Sequence, residues 1–265
     1  MGLTLQTFPT VADAARLLAG DPAARYLGGG TLLVRHANEG DTSFSAYVRT
    51  TDPGLSAIMV ADGSVRLGAS VTMAAVARHP ELAFLAPAAR AVGGPAIRNM
   101  ATVGGNLFAP TPYGDFGVAL LALDAMLDID ETSIPAEDFF ASRQSYGRSI
   151  IRFASFPLAA GNGLRFLKAS RIRPKGASVV TIAAVVREEG GKVADARIAF
   201  GCMADRPIRA KAAEKALIGQ PLTAEGIKPA LAAALEGTAP VTDAIASAWY
   251  RSEVLPVHLG RLLLG

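Results

Sequence analysis

A single cysteine, Cys202, and three histidines, His36, His79 and His258, are all the thiol and imidazole that this 265-residue chain contains. One cysteine excludes an intrachain disulfide, a CxxC zinc site and any iron–sulfur cluster held by this chain alone. The histidines are scattered without ligand spacing, so no metal site is expected, and Cys202 reads as a small buried residue. No apolar run approaches the roughly 20 residues of a membrane-crossing helix, which argues against membrane insertion. The segment Met1–Pro9 carries neither a basic leader nor a long apolar core, so no signal peptide is expected and the location reads as cytoplasmic. A net charge of +3 is too small to argue for a nucleic-acid partner. No Ser-His-Asp set can be assembled by motif, and no residue is assigned a catalytic role.

Glycine, by contrast, comes in clusters. Gly28-Gly29-Gly30-Thr31 follows a short strand signal, Ala24–Leu27, and leads into a helical run from Thr31 to Ala37. Farther on, the stretch from Ile97 to Leu107 reads IRNMATVGGNL, with Pro110-Thr-Pro-Tyr-Gly-Asp115 just beyond it. A backbone without side chains lets an anion approach its N–H groups, and a helix beginning there adds a favourable dipole. The first cluster is not the dinucleotide fingerprint GxGxxG, because Leu33 stands at the last glycine position, nor is it a P-loop. Alone it reads as a turn or as a ligand loop. Two such loops, carrying Thr31, Thr102 and Asn106, can clamp a pyrophosphate from two sides, and Asp115 has the acceptor character to bind ribose hydroxyls. Tyr113 is a candidate for a ring or adenine contact, or for loop packing; Trp249-Tyr250 on a helical pattern reads as packing.

Strands are predicted at Leu3–Phe8, Tyr47–Thr50, Ser64–Ala69, Met126–Asp130 and Ser149–Phe156. Helices are predicted from Thr10, which with Asp13 forms a capping box, to Leu18, and over Thr72–Arg78, Leu82–Val92 and Gly117–Ala125. After a Gly/Ala-rich loop, Pro157–Gly163, the strands Val179–Arg187 and Val193–Gly201 flank a Glu189-Gly-Gly-Lys192 turn. Helical patterns follow at Ile208–Ile218, Thr223–Leu235 and Ala244–Leu263, the last with a break at Pro256. Strands first and helices second make this part an α+β module. Charge is segregated: Phe116–Ser142 holds six acids and no base, and Arg143–Lys175 holds eight bases and no acid. The basic run reads either as a solvated face or as one turned to a phosphate or partner subunit.

LGGGTLL followed by IRNMATVGGNL and PTPYGD resembles the FAD-binding medium subunit of the molybdenum hydroxylases, the family of xanthine dehydrogenase, aldehyde oxidoreductase and carbon monoxide dehydrogenase. Gly68-Ala-Ser-Val-Thr72, Leu167-Lys-Ala-Ser-Arg171 and the stretch Asp243–Leu263 resemble further family segments, so the likeness covers nearly the whole chain. It implies an α+β fold: an FAD-binding domain at residues 1–157, of the vanillyl-alcohol-oxidase-like kind with subdomains at about 1–55 and 56–157. A C-terminal domain of the carbon monoxide dehydrogenase flavoprotein type follows at 164–265. By the same resemblance the cofactor contacts are Tyr26, Leu27, Gly28, Gly29, Gly30, Thr31, Leu32 and Leu33 in the first pyrophosphate loop, and Thr102, Val103, Gly104, Gly105 and Asn106 in the second. Tyr113, Asp115 at the ribose, Lys168 near the isoalloxazine ring, and the apolar Val92 and Ile151 complete the set. The triple glycine shifts Thr31 by one against the usual pattern, or else Thr31 replaces an Asp or Ser there. The partners implied are a large subunit with molybdopterin cofactor and a small subunit with [2Fe–2S] clusters, in a dimer of heterotrimers. Electrons would pass to an acceptor such as NAD, a quinone or oxygen. Two other readings are a free-standing reductase resembling UDP-N-acetylenolpyruvoylglucosamine reductase, whose LGGGSNLLV loop LGGGTLLV is similar to, and a flavin-free scaffold.

Overall fold

The structure, a computed structural model, describes residues 2–172 and 176–265. It begins with a small parallel sheet. Strand β1 (Thr4–Phe8) is followed by helix α1 (Val11–Gly20), β2 (Ala24–Tyr26), α2 (Leu33–Asn38) and β3 (Ala46–Thr50), in sheet order β1-β3-β2. Thr10 starts α1 as a capping box does: its hydroxyl accepts from the Asp13 amide at 3.2 Å and donates to the Asp13 carboxylate at 2.7 Å. Val11, Ala14 and Leu18, spaced for one helical face, pack on Ala24, Ala46 and Val48 of the sheet.

The second layer is antiparallel. Strands β4 (Ile58–Ala61) and β5 (Ser64–Gly68) turn at Asp62-Gly63, both with positive φ as a tight hairpin requires. Four short helices come next: α3 (Met73–Arg78), α4 (Ala86–Ala91), α5 (Pro95–Met100) and α6 (Val103–Phe108). Helix α7 (Asp115–Ala122) then leads to β6 (Met126–Ile129), β7 (Thr132–Pro135), α8 (Ala136–Ala141) and β8 (Ile151–Pro157). The sheet order is β4-β5-β8-β6-β7. Every residue of α7 is buried, with Phe116 at the centre of a core that also takes in Leu67, Leu107, Phe139 and Ala154.

The third layer is a four-stranded antiparallel sheet: β9 (Leu164–Ser170), β10 (Ser178–Glu189), β11 (Lys192–Gly201) and β12 (Ile208–Arg209), in order β12-β11-β10-β9. Helices α9 (Lys211–Leu217), α10 (Lys228–Ala232) and α11 (Ala248–Leu264) cover one face, where Val180, Ile182, Ala184 and Val186 of β10 meet Leu217, Leu255 and Leu259. Successive strand side chains point to opposite faces. Ala183 and Val185, with Ala199 of β11, therefore turn the other way and belong to the core around α7.

The mixed helix and sheet content is the expected α+β class, with several local differences. The stretch read as a bare loop, Ile97–Leu107, is mostly helical, as α5 and α6. Residues 208–209 pair with β11 rather than opening a helix, and α10 is shorter than its pattern, starting only at Lys228 with Pro229 in its first turn. Helix α11 runs on through Pro256 without a break. Trp249 and Tyr250 are exposed, at 69% and 46%, rather than packed. Cys202 is buried as expected. The basic run divides. Arg148, Arg152 and Arg171 are exposed, while Arg143 donates to the Ala109 carbonyl at 2.8 Å and Arg165 to the Leu262 and Leu263 carbonyls at the end of α11. Arg173 and Lys175 lie outside the described residues. Among the described residues no helix is long and apolar enough to cross a membrane.

Candidate functional site

A cleft of about 470 Å³ opens where the loop after β2, the turn between α5 and α6, the Pro110–Gly114 loop and the near ends of β8 and β9 converge. Of the residues expected at a cofactor site, Tyr26, Gly28, Gly29, Gly30, Thr31, Leu32, Leu33, Val92, Thr102, Gly104, Gly105, Asn106, Tyr113, Asp115, Ile151 and Lys168 line it. Leu27 and Val103 do not. The Leu27 amide extends the first sheet by donating to the Val48 carbonyl at 2.7 Å, and the Val103 side chain is packed into the core.

The two glycine loops have different jobs. In the second, the amides from Val103 to Asn106 are already committed: Val103 to the Val71 carbonyl at 2.9 Å, Gly104 to Ala69 at 2.9 Å, Gly105 to the Thr102 hydroxyl at 3.1 Å and Asn106 to the Thr102 carbonyl at 2.9 Å. Thr102 is the N-cap of α6, as Thr72 is of α3, and the two residues bridge one another. The Asn106 side-chain carbonyl accepts from the Gly117 amide at 3.1 Å and so anchors the first turn of α7. In the first loop, by contrast, none of the amides of Gly28, Gly29, Gly30, Thr31, Leu32 and Leu33 donates to an acceptor among the described residues. A run of uncommitted N–H groups on a cleft wall is what an anion binds.

The glycines also let the loops touch. A Cβ on Gly29 would lie 1.8 Å from the Met100 carbonyl oxygen, and one on Gly28 would lie 2.9 Å from the Thr102 hydroxyl. The tight packing of the second loop is similar, since a Cβ on Gly104 would meet Ala69 at 2.9 Å. Gly105 differs: its Cβ would meet only the Thr102 hydroxyl, at 3.0 Å. Arg98, of the IRN run, secures the turn before α5 by donating to the Arg90 carbonyl at 3.1 Å and the Gly93 carbonyl at 2.6 Å.

Asp115, expected at the ribose, lines the cleft with its carboxylate already engaged. It is 6% exposed, and one oxygen accepts from Ser178 and from Thr181, each at 2.5 Å, while the other pairs with Lys168 at 2.7 Å. Lys168 also donates to the Ala91 carbonyl at 2.9 Å. The carboxylate at the start of α7 thus joins the second layer to the third at the edge of the cleft. Its place at an N-terminal turn also suits the helix dipole.

Arg35 and His36, on α2, and Ser149 line the cleft and carried no motif signal. Arg35 donates to the Tyr113 hydroxyl at 3.2 Å across the cleft, and pairs with Glu39 one turn on at 2.7 Å. Burial pushes the Tyr26 phenol up from its ordinary value, against opposing hydrogen bonds with Ser70 and Thr50. Burial holds the Arg143 guanidinium down as it grips the proline loop.

These observations fit FAD. The free amides and the side-chain-free floor at Gly105 suit a pyrophosphate, and the apolar Val92, Ile97 and Ile151 suit a flat ring system. The family described as the FAD binding domain in molybdopterin dehydrogenase matches residues 4–155, and that described as the CO dehydrogenase flavoprotein C-terminal domain matches residues 165–265. The chain is 31% identical to the 6-hydroxypseudooxynicotine dehydrogenase complex subunit alpha of Paenarthrobacter nicotinovorans, over 96% of this chain and 90% of that one. It is 28% identical to a putative xanthine dehydrogenase FAD-binding subunit of Escherichia coli K12, over 94% and 89%. Among solved structures, a chain of carbon monoxide dehydrogenase from Hydrogenophaga pseudoflava superposes with a TM-score of 0.91 at 25% identity, covering 99% of this chain and 96% of that one.

Proposed function

Because this chain belongs to the FAD-binding subunits of the molybdenum hydroxylase family, and so is an oxidoreductase subunit, we propose that it is the electron-transfer subunit of such a complex. Its partners in this reading are a large subunit carrying the molybdopterin cofactor and a small one carrying [2Fe–2S] clusters, paired as a cytoplasmic dimer of heterotrimers. The acceptor class is NAD, a quinone or oxygen. The two family matches support a division into an FAD-binding domain, residues 1–157, and a C-terminal domain, residues 164–265. Bound FAD supplies the ability to accept electrons from one carrier and hand them to another; the protein supplies binding, orientation and electrostatics.

The observation that carries the reading is the row of uncommitted amides at Gly28–Leu33 facing the Thr102–Asn106 floor. The first loop would donate to the pyrophosphate, and the second, with its amides from Val103 to Asn106 spent, would form the floor beneath it. Thr31, the Thr102 hydroxyl proton and the Asn106 amide nitrogen are the side-chain donors that remain. Val92 and Ile151 exclude water from the apolar part, and Lys168 brings a cation to the ring, where positive charge favours the reduced, more anionic flavin. Similarity over 94–96% of the chain to subunits of dehydrogenases favours this reading over the free-standing reductase.

The test is affinity purification of the tagged chain from its native host. Large molybdenum-containing and small iron–sulfur chains are expected with it in equal numbers, and a chain that purifies alone under gentle conditions overturns the subunit reading. Lys168→Met should keep FAD bound and lower its midpoint potential; an unchanged potential removes Lys168 from the ring.

A further inference from the structure

Asp115 is held from the far side by two hydroxyls that belong to no glycine motif. Ser178 and Thr181 lie on β10, are wholly buried, and both donate to the same Asp115 oxygen at 2.5 Å. The pairing of β9 with β10 sets Thr181 directly opposite Lys168. The two-residue alternation of β10 then turns Thr181, like Ala183 and Val185, toward α7, where Asp115 stands. Ser178 is itself fixed from behind, since Arg251 donates to its carbonyl at 3.2 Å and pairs with both oxygens of Asp243 at 2.8 Å.

With one carboxylate oxygen taken by two hydroxyls, Asp115 cannot turn, and its other oxygen is presented to Lys168. Lys168 has three N–H donors and uses two, on Asp115 and Ala91. The third remains for the cleft that Lys168 lines. Without the hydroxyls, the carboxylate is free to rotate and no longer holds the Lys168 ammonium at the edge of the cleft. The positive charge presented there by Lys168 then falls.

We propose that Ser178 and Thr181 are positioning residues for the flavin site, which set the charge presented to the cofactor by fixing Asp115 and, through it, Lys168. This rests on the placement of Lys168 at the ring given above. The third layer would then tune the cofactor, in addition to covering the fold.

The test compares midpoint potentials of bound FAD in purified holoprotein for wild type, Thr181→Val, Thr181→Ser, Ser178→Ala, Lys168→Met and the double variant Thr181→Val/Lys168→Met. Thr181→Val should shift the potential in the same negative direction as Lys168→Met and by less. Thr181→Ser, which restores the donor, should return to the wild-type value. The double variant should lie no lower than Lys168→Met alone, since coupled residues are not additive. A purely structural role would lower the melting temperature and leave the potential in place, and that result overturns the proposal. So does an additive shift in the double variant. If Lys168→Met shifts the potential and Thr181→Val does not, the hydroxyl proposal fails while the lysine reading stands; if Lys168→Met leaves it unchanged, both fail. Should Thr181→Val not fold, Ser178→Ala is read by the same criteria.

Discussion

Alanine at Gly29 and alanine at Gly105 separate two reasons for glycine in this cleft. At Gly29 the new Cβ would sit 1.8 Å from the Met100 carbonyl oxygen, with the Met100 carbonyl carbon at 2.6 Å and the Ala101 Cα at 3.0 Å. All three atoms are backbone, so no side chain can swing away. The loops must part by more than an ångström, and overpacking of that kind costs roughly 1–3 kcal/mol. For a chain of this size each kcal/mol moves the melting temperature by about 2–4 °C, so Gly29→Ala should lower it by roughly 2–12 °C. At Gly105 the Cβ meets one hydroxyl and otherwise the cleft. The apo-protein should melt close to the wild type, while FAD binding weakens at least tenfold, about 1.4 kcal/mol. Deflavinated protein is scanned by calorimetry, and FAD is then titrated by quenching of its own fluorescence. Wild-type melting in Gly29→Ala would refute the account of loop contact. Wild-type affinity in Gly105→Ala would refute the account of a bare floor beneath the pyrophosphate.

Two further outcomes follow from buried charge and from burial alone. Asp115→Asn leaves Lys168 without its anion at a nearly buried position, and the apo-protein should lose about 3 kcal/mol, within the range for breaking one side of such a pair; urea unfolding measures it, and a loss below about 1 kcal/mol would contradict the buried-pair argument. Burial pushes the Cys202 thiol up to about 12, so the native protein holds no appreciable thiolate at pH 8 and should resist iodoacetamide for as long as it stays folded, whereas stoichiometric native-state labelling, read by mass spectrometry, would show the thiol to be accessible.

The sequence was most legible where periodicity and turn chemistry agree, as in the Thr10 capping box, the Asp62-Gly63 hairpin and the apolar body of α7 beyond Asp115. It misled at IRNMATVGGNL. Two adjacent glycines argue against a helix, at about 1 kcal/mol each relative to alanine, yet Gly104 and Gly105 sit inside α6 because the Thr102 cap and the close approach to Ala69 favour it. The weight given to the two loops also changes. The triple glycine is a weak motif by pattern but holds the uncommitted amides, whereas the more distinctive second motif spends those from Val103 to Asn106 on Val71, Ala69 and Thr102. That difference is invisible without knowing that Val71 and Ala69 lie beside α6. Ser178 and Thr181 are hidden for another reason. In Ser-Val-Val-Thr-Ile-Ala-Ala-Val-Val they look like small or β-branched strand formers, and only the register with β9 sets Thr181 opposite Lys168. Acceptor chemistry and the family resemblance both point Asp115 to a ribose, and neither reveals that Ser178, Thr181 and Lys168 already surround it.

Strand β10 gives alternate side chains to two different cores, and this limits how the protein can be divided or exchanged. A fragment that ended before β9 would expose α7, which is buried along its whole length, and leave Asp115 with none of its three side-chain partners. The two halves that separate families describe therefore share one wall. A chimaera assembled from two relatives would have to preserve both the apolar fit of Ala183 and Val185 against α7 and the hydroxyl pair beneath Asp115. Changes on either side of that wall are therefore constrained to occur together.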